Sequence, residues 1–243
     1  LTHPDRHLHD LSSLESIAYG GAPSAPELVR QIGAAGAAPG NGWGMTETSA
    51  TFSHHMAEDY LARPDSCGPP VAVCDAEVRD PDGHVLPADT VGELYGFGPN
   101  IVKGYWGKPE ATAETFAGGW VRTGDLARID AEGFITIVDR AKDMLIRGGE
   151  NIYCVEVEGV LCEHPAVMDA ALVGRAHPVL GEEPVAFVST KPGMAVETAA
   201  LQAFVGERLA RFKVPVAIHV RDRPLPRNAN GKIVKSELKK DIE

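Results

Sequence analysis

Residues 133–152 constrain the fold of this chain more than any other stretch. They run from an apolar segment, through a charged turn at 139–143, into a second short apolar segment that ends in the sequence Gly-Gly-Glu-Asn at 148–151. Glycine adopts positive φ readily and lets the backbone approach a ligand closely. The pattern therefore predicts a strand, a charged connection, and a glycine turn with a carboxylate and an amide beside it.

The sequence differs in character on the two sides of the charged turn, which predicts two domains. Residues 64–139 alternate turn signals with short apolar runs, a pattern typical of an antiparallel and partly barrel-like β-region. The preceding segment, 1–55, is typical of the end of an α/β unit. After the turn, strands and helices alternate in a compact α/β module. We therefore expect an α/β and α+β fold, with one domain at 1–141 and a smaller one at 142–243.

Individual elements can be predicted from the spacing of apolar residues. In the first domain we expect strands around 14–19 and 134–138, and a helix from about 26 to 33. In the second domain we expect one helix at 155–162 and another that includes Leu201 to Leu209, whose apolar residues share one face. The remaining apolar runs predict strands at 71–73, 92–95, 170–173, 185–188 and 216–220.

Composition argues against several classes of protein. The net charge of -11 argues against general nucleic-acid binding, although ten Lys and Arg against five Asp and Glu make the chain basic from Val205 onward. That basic tail predicts either a solvated surface or contact with anionic small molecules. No run of about 18 apolar residues and no leader sequence is present, so we expect no membrane span and a cytoplasmic location. The four cysteines lack CxxC spacing, which predicts reduced thiols.

Residues 41–47, with the sequence Asn-Gly-Trp-Gly-Met-Thr-Glu, combine groups that suit a nucleotide. The indole of Trp43 can stack on a purine, and the hydroxyl of Thr46 can donate to a phosphate oxygen. The carboxylate of Glu47 can hold Mg²⁺, which prefers hard oxygen ligands. The alternative interpretation is a glycine-rich turn around a buried tryptophan.

Two further segments carry charged side chains on turns. Asp125, in the segment 119–126, can accept hydrogen bonds from the vicinal hydroxyls of a ribose, or is a plain turn aspartate. Lys232 lies on a loop at 224–232 that is bounded by proline and glycine. A lysine there is a compact, movable charge that could stabilise charge developing in a displacement, or is an ordinary surface lysine. The nine histidines lack metal-ligand spacing and are interpreted as structural or surface groups.

Taken together, the motifs at 42–48, 148–152 and 226–232 resemble those of the adenylate-forming superfamily, and within it the acyl-CoA synthetases. The resemblance implies a ligase that joins a carboxylic acid to ATP, releases pyrophosphate, and passes the acyl group from AMP to coenzyme A. It implies ATP or AMP, Mg²⁺ and coenzyme A as ligands, and a fatty or related acid as the substrate. Residues 1–141 would then be the C-terminal part of the adenylating domain, and 142–243 its small mobile C-terminal domain.

The resemblance also assigns the adenylation site. Glu47 is implied as the metal ligand, and it is catalytic together with Thr46 and with Lys232, the adenylation lysine. Asp125 is implied to hold the ribose, with Arg140 beside it. The residues implied to line the adenylate are Gly21, Ala22, Pro23, Asn41, Gly42, Trp43, Gly44, Met45 and Thr46.

A second group of roles concerns coenzyme A. Lys142 is implied to be the hinge between the two domains, although a hinge is a position rather than a residue type. Lys213 is a candidate contact for the phosphates of coenzyme A, or an ordinary solvated lysine. The residues implied to line the pantetheine channel are Gly148, Gly149, Glu150 and Asn151.

One part of the family pattern is missing. The sequence lacks the Ser/Thr/Gly-rich loop ending in Pro-Lys-Gly that cradles the β- and γ-phosphates in relatives, so we expect a truncated chain without the upstream part of the adenylating domain. Cys154 stands where relatives often have proline, which we expect to alter only a helix start. Three interpretations remain open: a CoA ligase, an adenylating module that feeds a carrier protein, and a non-catalytic fragment that binds nucleotide or CoA. Monomer and homodimer both stay open.

Overall fold

The computed structural model describes residues 4–21, 26–55, 59–60, 62–229 and 231–242. The chain divides into two compact units, Leu1–Ala141 and Lys142–Glu243. Both units combine strands with helices, so the predicted mixed α/β fold is confirmed. The candidate residues Ala22 and Pro23 lie outside the described residues. Within the described part of the chain, no helix is long and apolar enough to cross a membrane.

The first unit begins with a three-stranded sheet. Its elements are a 3₁₀ turn (Pro4–Leu8), β1 (Ser16–Gly20), α1 (Pro26–Ala34), β2 (Ala38–Met45) and β3 (Ala50–His54). β1 and β2 are parallel and are joined through α1, whereas β3 returns antiparallel to β2 after a 3₁₀ turn, Thr46–Thr48. The first predicted strand and helix are therefore confirmed. Gly20, the last residue of β1, pairs with Gly42 of β2, and β2 continues beyond this pair to Met45.

A five-stranded antiparallel sheet comes next in the first unit. Its elements are β4 (Asp75–Arg79), β5 (Gly92–Phe97), α2 (Pro109–Thr115), β6 (Phe116–Ala117), β7 (Trp120–Ile129) and β8 (Ile135–Arg140). β7 is the central strand, which pairs with β5, β6 and β8. The antiparallel region is confirmed, but the described strands β4 and β6 do not pair, so the sheet is open rather than barrel-like. The strand predicted at 71–73 is wrong, because a hydrogen bond from the N–H of Cys74 to the carbonyl of Val71 closes a turn there.

The second unit is built on a single five-stranded sheet. Its elements are β9 (Leu145–Arg147), β10 (Glu150–Ile152), α3 (Cys154–Glu163), β11 (Val167–His177), β12 (Gly181–Thr190), α4 (Thr198–Gly206), a 3₁₀ turn (Arg211–Lys213), β13 (Ala217–Arg221) and α5 (Lys235–Lys239). The strands lie in the order β10-β9-β12-β11, and β13 pairs in parallel with β12. The predicted helix that was to include Leu201 to Leu209 ends earlier, at Gly206, and the other helices and strands predicted for this part of the chain are confirmed.

The sheet of the second unit is apolar on both faces. Successive side chains of a strand point to opposite faces, so the residues of β12 divide between two clusters. Ala186 and Val188 belong to a core that includes residues of α3 and α4. Val185 and Phe187 belong to a second core that includes Leu238 of α5. Because both faces are covered, β12 appears in the sequence as a continuous apolar run rather than an alternating one.

All four cysteines are free thiols, as predicted. Cys154 is fully buried as the first residue of α3, and its thiol lies 3.0 Å from the carbonyl oxygen of Asp143, to which it donates. Cys154 therefore ties the start of the helix to the preceding segment. Burial raises the pKa of both Cys67 and Cys162 to about 11.

Candidate functional site

Three side chains link the candidate nucleotide residues of the first unit. The indole N–H of Trp43 donates to Oδ2 of Asp125 at 2.9 Å, and Nε of Arg140 donates to Oδ1 at 3.0 Å. Asp125 and Arg140 face each other across β7 and β8, whereas Trp43 comes from β2 in the other sheet. The fold thus brings together three residues that are far apart in the sequence.

Asp125 retains capacity for further hydrogen bonds. An ionised carboxylate offers about four acceptor positions, and the two protein donors occupy two of them. The Asp125 side chain is only 12% exposed, so few water molecules compete for the others. The hydroxyl of Thr123 accepts a hydrogen bond from the Asp125 N–H at 3.1 Å and fixes the backbone at this position. A rigid carboxylate with two remaining acceptor positions suits a vicinal diol such as a ribose.

The packing of β2 against β3 requires a glycine at position 44 and leaves little room for a side chain at position 42. A Cβ on Gly44 would lie 1.8 Å from the carbonyl oxygen of Ala50, and one on Gly42 would lie 3.1 Å from that of Ser53. These contacts account for both glycines without a ligand, and their adenylate contact remains a prediction. The Trp43 ring also packs edge-on against Phe52, with 5.6 Å between ring centroids.

The turn after β2 is held by a buried hydroxyl. Oγ1 of Thr48 accepts a hydrogen bond from the N–H of Met45 at 2.9 Å and donates toward the carbonyl of Ala50 at 2.8 Å. Thr48 is fully buried, whereas Thr46, the predicted phosphate contact, is exposed. The role of Thr48 was not predicted from the sequence, although a threonine two residues after Thr46 is a typical partner for turn backbone.

Glu47, the candidate metal ligand, also has a partner that was not predicted from the sequence. The phenol of Tyr105 donates to Oε1 of Glu47 at 2.6 Å. This hydrogen bond raises the pKa of Tyr105. Oε2 of Glu47 makes no hydrogen bond or ion pair to the residues that the structure describes. The two residues are 58 positions apart in the sequence, so no local sequence pattern predicts their contact.

Gly21 directly follows the carboxyl end of β1, whereas Asn41 lies within β2, where it pairs with Tyr19. Gly21 has a φ of 79°, a conformation that glycine adopts far more readily than other residues. The side-chain amide of Asn41 donates to the carbonyl of Ser66 at 3.0 Å. Ligands of open α/β sheets bind outside the carboxyl ends of parallel strands, which is where Gly21 lies.

In the second unit, the paired glycines form the turn of a hairpin. Arg147 of β9 pairs with Glu150 of β10, so Gly148 and Gly149 are the only two residues between the strands. Their φ values of 60° and 89° are both positive, as a type I′ turn requires. The N–H of Gly148 donates to the carbonyl of Leu180 at 2.8 Å. The predicted glycine turn is confirmed, and Glu150 and Asn151 are exposed beside it.

Lys232 lies on a short loop whose described residues are tied together by hydrogen bonds. Arg227 and Ile233 form an isolated β-bridge at its base. Across the loop, Oδ1 of Asn228 accepts from the N–H of Lys232 at 3.0 Å, and the carbonyl of Lys232 accepts from the N–H of Asn228 at 2.9 Å. Lys232 is exposed, and its ammonium group bonds to none of the residues that the structure describes.

The remaining candidates differ in how much of their charge is already paired. Nζ of Lys213 lies 2.5 Å from a carboxylate oxygen of Glu156, so a phosphate of coenzyme A would have to compete with this ion pair. Lys142 is exposed and is the first residue of the second unit. The hinge role of Lys142 and the CoA contact of Lys213 remain predictions.

Comparison with known proteins shows what this chain is similar to. The sequence profile described as "AMP-binding enzyme" matches residues 1–106, and that described as "AMP-binding enzyme C-terminal domain" matches 156–232. The 2-succinylbenzoate–CoA ligase of Bacillus cytotoxicus is 39% identical over 232 residues, which are 96% of this chain and 47% of the relative. The feruloyl-CoA synthase of an Amycolatopsis species is 40% identical over 242 residues, or 98% of this chain and 48% of the relative.

Solved structures of similar proteins share the fold. The o-succinylbenzoate CoA synthetase of Bacillus subtilis, in complex with its acyl-adenylate intermediate, has a TM-score of 0.88 at 36% identity over 95% of this chain and 47% of that one. The same synthetase has also been solved with ATP and a magnesium ion, at a TM-score of 0.85 and 36% identity over 92% of this chain and 46% of that one. The amide bond synthetase of Marinactinospora thermotolerans has a TM-score of 0.92 at 33% identity, over 100% of this chain and 50% of that one.

The matches agree in kind and in extent. The chain spans about half the length of the curated relatives that it matches. Both family profiles match in the expected order, and the solved structures extend the likeness over nearly all of the chain. The chain therefore belongs to the AMP-binding enzyme family of the adenylate-forming superfamily.

Proposed function

We propose that this chain is part of an AMP-forming acid–thiol ligase that activates a carboxylic acid as an acyl-adenylate and transfers the acyl group to coenzyme A. The observation that carries the proposal is the carboxylate of Asp125, held between Trp43 and Arg140 with two acceptor positions left. The similarity to two curated CoA ligases supports the same activity.

The first step would form the acyl-adenylate. An oxygen of the substrate carboxylate attacks the α-phosphorus of ATP, a new P–O bond forms, and the bond to pyrophosphate breaks. The ammonium of Lys232, which bonds to none of the residues that the structure describes, suits the stabilisation of charge that develops in this step, a contribution of about 10²–10³ in rate for one well-placed donor. Arg140 is paired with the carboxylate of Asp125, which is proposed to hold the ribose, and it would add positive charge near the nucleotide. Mg²⁺, when bound, would neutralise phosphate charge.

The residues that would hold Mg²⁺ fit a hard cation. Glu47 offers an oxygen, Oε2, that is not bonded to the described residues, and its other oxygen is oriented by a neutral phenol. Thr46 is exposed beside it and offers a hydroxyl to a phosphate oxygen. The related synthetase from Bacillus subtilis has been solved with ATP and a magnesium ion, which supports these ligands for the present chain.

The second step would transfer the acyl group to sulfur. The thiol of coenzyme A loses its proton and attacks the acyl carbonyl carbon, and the bond to AMP breaks because AMP is a good leaving group. The glycine hairpin at Gly148 and Gly149 would line the pantetheine. A domain rotation near Lys142 would bring this hairpin to the active site in place of Lys232. Such a rotation needs only a few residues that absorb the change in backbone angles.

An aromatic carboxylic acid is the substrate class that the relatives favour. The names of both curated relatives carry aromatic acyl groups, 2-succinylbenzoate and feruloyl. The fatty acid expected from the sequence has no such support. We therefore propose an aromatic or aryl-bearing acid for this chain.

Acid-dependent exchange of pyrophosphate into ATP tests the proposal. The complete product of the gene and the 243-residue chain would each be assayed. The acids would be 2-succinylbenzoate, ferulate and a fatty acid with a similar number of carbon atoms. We expect exchange with an aromatic acid and thioester formation when coenzyme A is added. Absence of exchange with every acid would contradict the adenylating step.

A second acyl acceptor is favoured by one observation. The amide bond synthetase of Marinactinospora thermotolerans matches the whole of this chain at a TM-score of 0.92. An acyl-adenylate attacked by an amine would give an amide and AMP, with the amine proton released. Supplying an amine and coenzyme A together, and identifying the acyl product by mass, distinguishes the two acceptors.

A further inference from the structure

The turn that carries Glu47 is enclosed by a second segment of the first unit. The N–H of Val102 donates to the carbonyl of Glu47 at 2.9 Å. The side-chain amide of Asn100 donates to the carbonyl of Thr48 at 3.1 Å. The phenol of Tyr105 then reaches the Glu47 carboxylate itself at 2.6 Å. Residues 100–105 therefore hold both the backbone and the side chain of the candidate metal ligand.

Tyr105 is itself fixed by its surroundings. Its N–H donates to the hydroxyl of Thr112 at 2.9 Å, and that hydroxyl donates to the carbonyl of Lys108 at 2.8 Å. Its ring packs edge-on against Phe116, with the ring planes inclined at 61° and the centroids 5.5 Å apart. Because backbone and ring contacts both fix its position, the phenol is a donor of defined position rather than a mobile surface group.

The partner of Glu47 differs in charge from the partner of Asp125. Arg140 carries a positive charge that balances the carboxylate of Asp125. Tyr105 is neutral, so it orients the Glu47 carboxylate and leaves its full negative charge in place. A metal ion is attracted by that charge, and a cationic partner would compete with the metal for it. A neutral donor on one oxygen and an unbonded second oxygen is the arrangement that suits a metal ligand.

We propose that Tyr105 is a positioning residue for Glu47, which holds the carboxylate so that Oε2 meets the magnesium ion of the bound nucleotide. The inference rests on the proposed function, because it assumes that a nucleotide with its metal binds beside Glu47. Partners of metal-ligating carboxylates commonly contribute about 10–100-fold to metal affinity or activity.

The test compares nucleotide binding with and without metal in the Tyr105→Phe variant. The change removes only the hydroxyl and keeps the ring against Phe116. Calorimetry on the protein as its gene encodes it would give the affinity for AMP without metal, and for ATP with and without Mg²⁺. We expect the gain in ATP affinity on adding Mg²⁺ to fall about tenfold, with AMP affinity unchanged within about twofold.

Tyr95→Phe is the matched control. The Tyr95 ring lies under the guanidinium of Arg79, with 4.5 Å to the centroid, and its hydroxyl bonds to none of the described residues. It should behave as the unaltered protein does. High Mg²⁺ should also restore pyrophosphate exchange in Tyr105→Phe, because only the metal step is weakened.

Each other outcome overturns the inference in a distinguishable way. An unchanged Mg²⁺ gain in Tyr105→Phe would remove the positioning role and leave the proposed function intact. An equal loss of AMP affinity without metal would show that the hydroxyl only supports the fold. If the unaltered protein binds neither nucleotide, the proposed function itself is contradicted, and the role of Tyr105 with it.

Discussion

The indole nitrogen of Trp43 lies 2.9 Å from Oδ2 of Asp125, although 82 positions separate the two residues in the sequence. The sequence predicted Trp43 as a stacking surface for a purine. In the structure the indole N–H of Trp43 instead donates to the carboxylate of Asp125, the residue proposed to hold the ribose. Asp125 as a whole residue is 8% exposed, so loss of this donor would leave a buried acceptor without its partner.

Trp43→Phe should therefore weaken binding through Asp125. Hydrogen bonds to charged groups contribute about 1.5–3 kcal/mol, so we expect AMP affinity to fall about tenfold. The free energy of unfolding should fall by about 1 kcal/mol. Calorimetry and urea denaturation measure the two quantities.

Two comparisons isolate the hydrogen bond. Trp106 is fully exposed, so Trp106→Phe should change neither quantity. In the unaltered protein, 2′-deoxy-AMP should bind more weakly than AMP, and Trp43→Phe should reduce that difference. A Trp43→Phe variant that keeps the full preference for the 2′-hydroxyl would contradict a role through Asp125.

Lys232→Ala should separate the two half-reactions. The ammonium group is exposed on a loop whose described residues are tied together by backbone hydrogen bonds, so its removal should leave the fold unchanged. Acid-dependent pyrophosphate exchange should fall about 10²–10³-fold, because a donor to the developing charge is lost. Thioester formation from supplied acyl-adenylate should be retained. Lys240→Ala, which removes another lysine of the same unit, serves as the control. An equal loss of both half-reactions in Lys232→Ala would contradict the proposal that Lys232 and the glycine hairpin act in different steps.

The sequence predicted well those elements whose pattern is local. The apolar run at 185–188 identifies β12 because both faces of that strand are buried. The glycine pair at 148–149 identifies a hairpin turn because both residues need positive φ. By contrast, α2 has no buried residue, so no apolar periodicity in the sequence predicts this helix.

The candidate site was harder to predict because its contacts are long-range. The sequence identified Glu47 but not Tyr105, since a phenol 58 positions away has no local signature. The sequence motif associated Gly44 with a ligand, whereas the close approach of β3 already requires a glycine at that position. Partners of this kind depend on how strands pair, which residue types alone do not specify.

Gly149→Ala should strain the hairpin without a steric clash. A Cβ there would meet no atom within 4 Å, but the φ of 89° is unfavourable for alanine. We expect the free energy of unfolding to fall by about 1–2 kcal/mol, measured by urea denaturation. If the hairpin lines the pantetheine, thioester formation should fall more than pyrophosphate exchange.

Gly159→Ala provides the opposite control. Gly159 lies within α3, also has open space around its Cβ position, and does not have a positive φ. Alanine favours helix by about 1 kcal/mol over glycine, so this variant should be more stable than the unaltered chain. Equal effects of the two substitutions would contradict the strained-turn explanation.

The buried thiol of Cys67 and the partly buried thiol of Cys162 predict a loss of stability at alkaline pH. The pKa of Cys67 and that of Cys162 are raised from 9.0 to about 11 by burial. Between these values the unfolded chain releases thiol protons that the folded chain keeps, so the free energy of unfolding falls as pH rises from about 9 to 11. Well below pH 9 the two thiols contribute no pH dependence.

Urea denaturation at intervals from pH 8 to 11 measures this dependence, and alanine variants assign it to the thiols. Tyrosines and lysines also titrate in this range, so the informative quantity is the difference between the unaltered chain and the double variant Cys67→Ala, Cys162→Ala. The double variant should be less stable at pH 8, because Cys67 is well packed, but its stability should decline less steeply above pH 9. Parallel pH profiles would mean that the thiols ionise equally in the folded and unfolded chain, against the burial that the structure shows.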